Sequence, residues 1–401
     1  MAPYRVLVVD DSAFMRKIIC DLIKQDSRFT IVATASTGAE ALLALKQHKP
    51  DAITMDLEMP EMNGLEALRQ IMRIQPTPVI MISGISEDGT RETIKALQLG
   101  AFDFIRKPSA GVSPQEVGQQ LLEKLAVAVL TRSKSAPVMS RPEIVNKSVP
   151  LTETEKLTGA KQAESKPSKP EKIARPKIQF KPAERPAAAQ PPKLEQPLPR
   201  RTTDSFTDIV AVGTSTGGPR ALHQLIGDLP AGFPAPVLVV QHMPPRFTRS
   251  LAQRLDSLSR LAVVEAEQGQ QVEAGHVYIA PGGLHMELME RKNRYYIHLS
   301  ETPPRSGHRP SVDVLFESLL PYPKLRRHAV IMTGMGSDGA KGMKLLVEQN
   351  IPTAIAEAEE TCVVFGMPRS AIEAGAATTV LPLHSIGSYL VSAVGRNSSS
   401  S

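Results

Sequence analysis

A glycine-rich stretch, Gly213-Thr214-Ser215-Thr216-Gly217-Gly218-Pro219, follows the apolar run Ile209 to Val212 and leads into a helical pattern with Ala221, Leu222, Leu225 and Ile226. Two chemistries fit such a strand-to-helix turn. Free backbone N–H groups at a helix N-terminus attract an anion. Alternatively, Gly213-x-Ser215-x-Gly217 is a nucleophile elbow, in which the glycines permit a sharp turn and the serine oxygen projects. The motif alone leaves both open, and its company discriminates. Val237 to Val240 runs into Gln241-His242-Met243-Pro244-Pro245, and Ala329 to Met332 runs into Thr333-Gly334-Met335-Gly336-Ser337-Asp338-Gly339. A neutral imidazole can take a serine proton, and a carboxylate on its other nitrogen fixes tautomer and orientation. Ser215, His242 and Asp338 therefore form a triad candidate for acyl transfer through a covalent intermediate. A dinucleotide site would want an acidic strand end about 20 residues after the turn. Asp228-Leu229-Pro230, a loop, stands there. The chain order Ser, His, Asp also differs from the Ser, acid, His order of α/β-hydrolases.

A second group of reactive side chains lies near the N-terminus. Asp10 and Asp11 end one apolar run, Asp56 ends another, Ser83 follows a third, and Lys107-Pro108 follows a fourth. Three crowded carboxylates repel one another and call for a hard cation such as Mg²⁺, which keeps waters for a phosphate. A lysine and a hydroxyl opposite could hold phosphoryl oxygens as charge develops.

Both groups need a scaffold that brings loop tips together. From residue 5 to about 130, the runs Val6 to Val9, Ala52 to Met55, Val79 to Ile82 and Phe102 to Ile105 read as strands alternating with amphipathic stretches. The alternation predicts a doubly wound α/β domain with a mostly parallel sheet. From about 205, Ile209 to Val212, Val237 to Val240, Val277 to Ala280 and Ala329 to Met332 repeat the theme. Closely spaced runs between Gly275 and Leu299 suggest an antiparallel hairpin appended to that second sheet. In open parallel sheets, functional residues gather beyond the C-terminal strand ends, where all the residues above fall.

The remaining composition bounds the problem. At 401 residues the chain exceeds one ordinary core. Its net charge of +6 resides in the segment from Lys134 to Arg200, which has 14 Lys plus Arg against 7 Asp plus Glu and 12 of the 34 prolines. Such a segment cannot bury enough apolar surface to offset ordering entropy and reads as a disordered Pro/Lys-rich linker. The expected layout is a first domain at 1–133, the linker at 134–203, a second domain at 204–394 and a disordered tail at 395–401. Charge confined to a tether, with no helix-turn-helix pattern, argues against nucleic-acid binding. Cys20 and Cys362 are too isolated in sequence for a disulfide scaffold or a Cys-ligated zinc site, which fits a reducing cytoplasm. No apolar run approaches the roughly 18 residues of a membrane span, and no zinc-hydrolase pattern accompanies the serine.

With Asp10-Asp11, the stretch from Asp56 to Gly64, Ser83-Gly84 and Lys107-Pro108 on the page, residues 5–130 resemble the flavodoxin-like receiver domain of two-component response regulators. The resemblance implies Asp56 as phosphoacceptor from a chemotaxis histidine kinase, with Asp10, Asp11 and Asp56 as Mg²⁺ ligands. It also implies Ser83 as switch hydroxyl, Lys107 as phosphate partner and Phe104 as switch aromatic. Gly213 to Pro219, Gln241 to Pro245, Ala280 to Gly283, Pro310 to Asp313, Met332 to Gly339 and Cys362 to Pro368 resemble the catalytic domain of the chemotaxis protein-glutamate methylesterase/glutamine deamidase family. That resemblance implies hydrolysis of γ-glutamyl methyl esters, and deamidation of glutamines, on methyl-accepting chemotaxis receptors. The enzyme would then be cytoplasmic and meet the membrane only through those receptors. Ser215 would be nucleophile, His242 base and then acid, and Asp338 the orienting carboxylate, with no cofactor in this domain. Backbone N–H groups at Thr216 and Met335 are the oxyanion candidates. His285, His308 and Arg309 are further cleft candidates, and Cys362 reads as a packed thiol. An unmodified receiver is expected to cover the cleft.

Overall fold

In a computed structural model of the chain, which describes residues 2–84, 86–107, 114–134 and 206–395, the alternating pattern becomes two parallel sheets. The stretch expected to be a linker, apart from Lys134, and the tail after Gly395 lie outside the described residues, as does Pro108.

The N-terminal domain runs β1 (Tyr4–Val9), α1 (Ala13–Ile23), β2 (Phe29–Ala35), α2 (Gly38–His48), β3 (Ala52–Asp56), α3 (Gly64–Ile74), β4 (Val79–Ser83), α4 (Glu87–Gln98), β5 (Asp103–Arg106) and α5 (Pro114–Lys134). Its strand order is β2-β1-β3-β4-β5 with every neighbouring pair parallel. Strands β3 and β4 are buried along their whole length, as strands covered by helices on both faces must be. Side chains of Ser12, Thr37, Asn63 and Ser86 accept backbone N–H bonds at the starts of α1 to α4. Each cap ends a loop and satisfies a donor that the helix cannot, so the loops at the strand tips have defined exits. Strand β2 escaped the apolar-run reading. It is an edge strand whose middle is only half-buried, so its Thr and Ala residues break the apolar signal.

The C-terminal domain runs β6 (Asp208–Thr214), α6 (Gly218–Asp228), β7 (Val237–Gln241), α7 (Phe247–Asp256), β8 (Ala262–Glu265), β9 (His276–Ile279), β10 (His285–Arg291), β11 (Arg294–Ser300), α8 (Val312–Glu317), β12 (Arg326–Ile331), α9 (Ala340–Glu348), β13 (Thr353–Glu357), α10 (Met367–Glu373), β14 (Thr379–Leu381) and α11 (Leu383–Ala393). Seven of these strands form one all-parallel sheet in the order β14-β13-β12-β6-β7-β9-β8. The expected hairpin is β10-β11, a separate antiparallel ribbon, while the run from Val277 belongs to the main sheet. Its turn residues Lys292 and Asn293 both have positive φ, at 50° and 62°, which matches the twist of a two-residue hairpin loop. Strand β13 is buried at all five positions yet was not legible, because Thr353-Ala354-Ile355-Ala356-Glu357 holds one large apolar side chain.

Strand β6 lies where the winding reverses. From it the chain proceeds through β7 towards one edge, and later returns through β12 to build the other. The tips of β12, β6 and β7 therefore lie side by side, which is where an open α/β sheet forms its crevice.

The two domains share an apolar contact. Phe104 on β5 stacks on Phe247 of α7, with ring centroids 4.5 Å apart. Beside it, Thr90 of α4 shares a 2.8 Å hydroxyl bond with Ser250, and Arg254 Nε donates to Gln98 Oε1 at 2.9 Å.

Candidate active site and acidic cluster

Ser215 sits one residue beyond β6, in the turn that starts α6. The turn depends on Gly217, whose φ of +83° is left-handed and whose missing Cβ would lie 2.6 Å from Val363. The Ser215 backbone is held on both sides. Its N–H donates to Thr333 O at 3.0 Å, and its carbonyl accepts from Gly218 N at 2.8 Å and Gln241 Nε2 at 2.9 Å. Gln241 thus ties the Ser215 turn to the strand that carries His242, a role the sequence reading did not assign.

His242 and Asp338 meet directly. Nε2 of the imidazole lies 2.7 Å from Asp338 Oδ2, and both side chains are buried. Nδ1 is buried and has no hydrogen-bond partner among the described residues. The ring therefore spends Nε2 on the acid and leaves Nδ1 open, an allocation that spacing along the chain could not reveal. Ser215 and His242 line the same cleft, and no bond yet joins the serine hydroxyl to the ring. In unliganded sites such bonds are often long and tighten only with substrate.

Asp338 is held by the start of α8. Ser311 Oγ donates to its Oδ1 at 2.8 Å, Val312 N to Oδ2 at 2.7 Å and Asp313 N to Oδ1 at 3.1 Å. Burial works against its charge, but His242 and these amides outweigh burial and hold its pKa at about 2. Ser311 follows the Ser N-cap pattern in the sequence, although nothing there tells that its helix faces Asp338. His308 stacks on His242 with ring centroids 3.8 Å apart. Burial, followed by the neighbouring His242, pushes the His308 pKa down to about 4, so it faces His242 as a neutral ring at pH 7.

The other candidates separate. Arg309 lines the cleft and donates to Glu301 O at 2.7 Å and Thr302 O at 3.1 Å. His285 does not line it. Its side chain is fully buried, with Nδ1 accepting from Ser311 N at 3.2 Å. The Cys362 thiol packs against Glu357 O at 3.8 Å, and burial raises its pKa, so it is an unreactive thiol. Backbone N–H groups of Thr216 and Met335 are not spent on any acceptor among the described residues. Glu357, fully buried at the tip of β13, accepts from Thr333 N at 2.8 Å. A lone Glu after an alanine-rich run gave no signal for it.

The cleft holding Ser215 and His242 has a volume of about 700 Å³ and is bounded on one side by β5 and α5 of the N-terminal domain. Among the described residues, the shortest hydrogen bond between the domains involves the residue after Ser215. Thr216 Oγ1 donates to Asp103 Oδ2 at 2.6 Å, and Lys124 Nζ lies 2.8 Å from the same oxygen.

In the N-terminal domain, potential ligand atoms of Asp10, Asp11 and Asp56 lie within 4.8 Å of one another. Lys107 Nζ is 2.6 Å from Asp56 Oδ2 and 3.9 Å from Asp10 Oδ2. Burial, then the adjacent Asp56 charge, raises the Asp10 pKa to about 6, and burial also raises that of Asp56. Asp10 Oδ2 is buried without a hydrogen-bond partner. An orphaned carboxylate oxygen among raised carboxyls fits a site that gains a divalent cation. Ser83 makes no hydrogen bond to this group. Its hydroxyl donates to Gly84 O at 3.0 Å and receives Thr93 Oγ1 at 2.6 Å, turned towards α4.

A phosphoacceptor-like fold joined to an α/β domain with a serine, histidine and aspartate on adjacent strand tips defines a response regulator whose output is an enzyme. Residues 6–117 match the response regulator receiver domain and residues 210–390 match CheB methylesterase. The chain is 44% identical to the protein-glutamate methylesterase/protein-glutamine glutaminase of Geobacillus kaustophilus, over 98% of this chain and 100% of that one. It is 46% identical to the protein of the same name from Symbiobacterium thermophilum, over 98% of both chains. The crystal structure of the Thermotoga maritima CheB methylesterase catalytic domain is 48% identical, covers 47% of this chain and 100% of its own, and has a TM-score of 0.46. The chain belongs to the CheB family of receiver-linked methylesterases.

Proposed function

We propose that the protein removes methyl groups from γ-glutamyl methyl esters of methyl-accepting chemotaxis receptors, and deamidates receptor glutamines, by a serine mechanism. The carrying observation is the 2.7 Å pairing of His242 with Asp338 beside the Ser215 turn, with Nδ1 left unpartnered. Ser215 Oγ attacks the side-chain carbonyl while His242 Nδ1 takes its proton, and Asp338 stabilises the imidazolium. N–H groups of Thr216 and Met335 receive the oxyanion. The ester C–O bond breaks as His242 gives its proton to the departing methoxy oxygen, releasing methanol, or to the departing nitrogen in the amide reaction, releasing ammonia. Water then attacks the acyl-serine, with His242 again as base, and frees the glutamate and Ser215. A fluorophosphonate probe tests the first step: labelling at Ser215 supports it, and clean failure with folded protein sinks it.

Asp56 is assigned as the phosphoacceptor from a chemotaxis histidine kinase. Asp10, Asp11 and Asp56 would hold Mg²⁺, whose chemistry is to neutralise phosphoryl oxygens during transfer. Lys107 would hold a phosphoryl oxygen, Ser83 would turn towards the phosphate, and Phe104 would move with it. Phe104 lies at the interface with α7 and Asp103 grips Thr216, which supports a receiver that restrains the cleft until Asp56 is modified. The catalytic domain is assigned no cofactor, and the enzyme no nucleic-acid partner. It acts in the cytoplasm and reaches the membrane through receptors; no described helix is long and apolar enough to cross one.

Two outcomes test this regulation. Asp56→Ala is expected to lose stimulation by a small-molecule phosphodonor while keeping basal methanol release; stimulation equal to wild type removes Asp56 as the switch. Asp103→Ala is expected to raise basal release by about tenfold or more, since a hydrogen bond to a charged group contributes about 1.5 kcal/mol or more. Unchanged basal and stimulated rates would discard this contact as a restraint.

A further inference from the structure

The two amides assigned to the oxyanion come from turns after β6 and β12, on neighbouring strands but remote in sequence. An oxyanion hole works only if its donors are preorganised, because a misplacement near 1 Å costs about 100-fold. Some group must therefore fix one turn against the other. Resting on the serine reading above, we propose that Thr333 is the positioning residue that sets the spacing of the Thr216 and Met335 amides, with Glu357 as its buried anchor.

All of Thr333's polar atoms bridge separate elements. Its carbonyl accepts from Ser215 N at 3.0 Å and from Thr214 Oγ1 at 2.9 Å. Its hydroxyl donates to Thr216 O at 2.9 Å and accepts from Val364 N at 2.9 Å. Its own N–H is received by Glu357 Oε2 at 2.8 Å, and the residue is 1% exposed. The bond to Thr216 O acts on the residue that carries one donor. The bond from Ser215 N removes that amide from competition for the oxyanion. The next residue, Gly334, lets the two turns close, since a Cβ there would stand 2.8 Å from Ser215 Cβ. Met335, the second donor, follows directly. Thr333 does not line the cleft with Ser215 and His242, so it acts through its neighbours and touches no substrate.

Full-length Thr333→Val, Thr333→Ser and Ser215→Ala are compared for methanol release from methylated receptor membranes across receptor concentration. Valine keeps the volume and loses the hydroxyl. It is expected to lower kcat about 10- to 100-fold with KM within about twofold, and serine to restore kcat to within about threefold of wild type. A general structural defect would lower the fraction of folded enzyme and would not be rescued selectively by a hydroxyl. Wild-type kcat in folded Thr333→Val, or Thr333→Ser as impaired as valine, overturns the assignment. If the valine variant does not fold, Thr333→Ala, which leaves room for a bridging water, carries the same expectation of lowered kcat at unchanged KM, and its full activity overturns it. Turnover by Ser215→Ala would instead sink the serine reading. An inactive Ser215→Ala beside a normal Thr333→Val sinks this inference alone.

Discussion

Ser215→Ala is expected to reduce methanol release from methylated receptors by on the order of 10⁶-fold, the scale on which removal of a serine nucleophile acts in hydrolases. It should do so with little change in stability. The structural bonds of Ser215 are made by its backbone, to Thr333, Gly218 and Gln241, and alanine keeps all three. Among the described residues no hydrogen bond is made to Ser215 Oγ, so its removal strands no buried partner. Melting temperature measured beside methanol release separates the two effects. Activity within a factor of ten of wild type would take Ser215 out of the mechanism, whatever the rest of the cleft does.

Asp338→Asn is expected to lower kcat by about 10⁴-fold, because an amide cannot select the imidazole tautomer or stabilise its protonated form. Unlike the serine variant, it should also destabilise the fold. The carboxylate accepts from Ser311 Oγ, Val312 N and Asp313 N and pairs with His242. An asparagine must turn an NH₂ towards at least one of these donors, leaving a buried group unpaired at a cost of about 1–3 kcal/mol. The acid limb of stability carries the same signature. A carboxyl held at about 2 when folded and near 3.8 when unfolded stabilises the protein above the unfolded value. That contribution, about 2 kcal/mol, is lost as pH falls from about 4 to 2. Denaturant melts across this range should show a steeper loss for wild type than for Asp338→Asn. Equal slopes would mean that Asp338 is not the pairing carboxylate.

The interface between the domains gives the regulatory reading a local form. Asp103 and Phe104 are consecutive on β5, and one bonds the residue after Ser215 while the other stacks on α7. Lys107, three residues beyond Phe104, is bonded to Asp56. On the proposed reading, a phosphoryl group on Asp56 that draws on Lys107 would act on the same short segment that contacts the cleft. Helix α4, which receives the Ser83 hydroxyl at Gly89 and Thr93, also carries Thr90, bonded to Ser250 of the other domain.

Much of this was legible along the chain. Apolar runs ending in Asp10, Asp56, Gln241 or Met332 declared strands and their tips, because a strand buried on both faces must be apolar for most of its length. The Ser215 turn was legible because only glycine tolerates the backbone at Gly217. Edge strand β2 and alanine-rich β13 were not, since partial burial and small side chains dilute that pattern. Other decisions lay wholly in three dimensions. The order β12-β6-β7 sets three loop tips side by side, the α8 amides hold Asp338, His308 covers His242, and the Ser83 hydroxyl bonds to Thr93 of α4. These depend on which elements pack together, over separations from 10 residues for Ser83 and Thr93 to 119 for Thr214 and Thr333. Local backbone chemistry determines turns and caps within a few residues, whereas strand order, ring orientation and the bonds of Thr333 follow from the burial of the whole sheet.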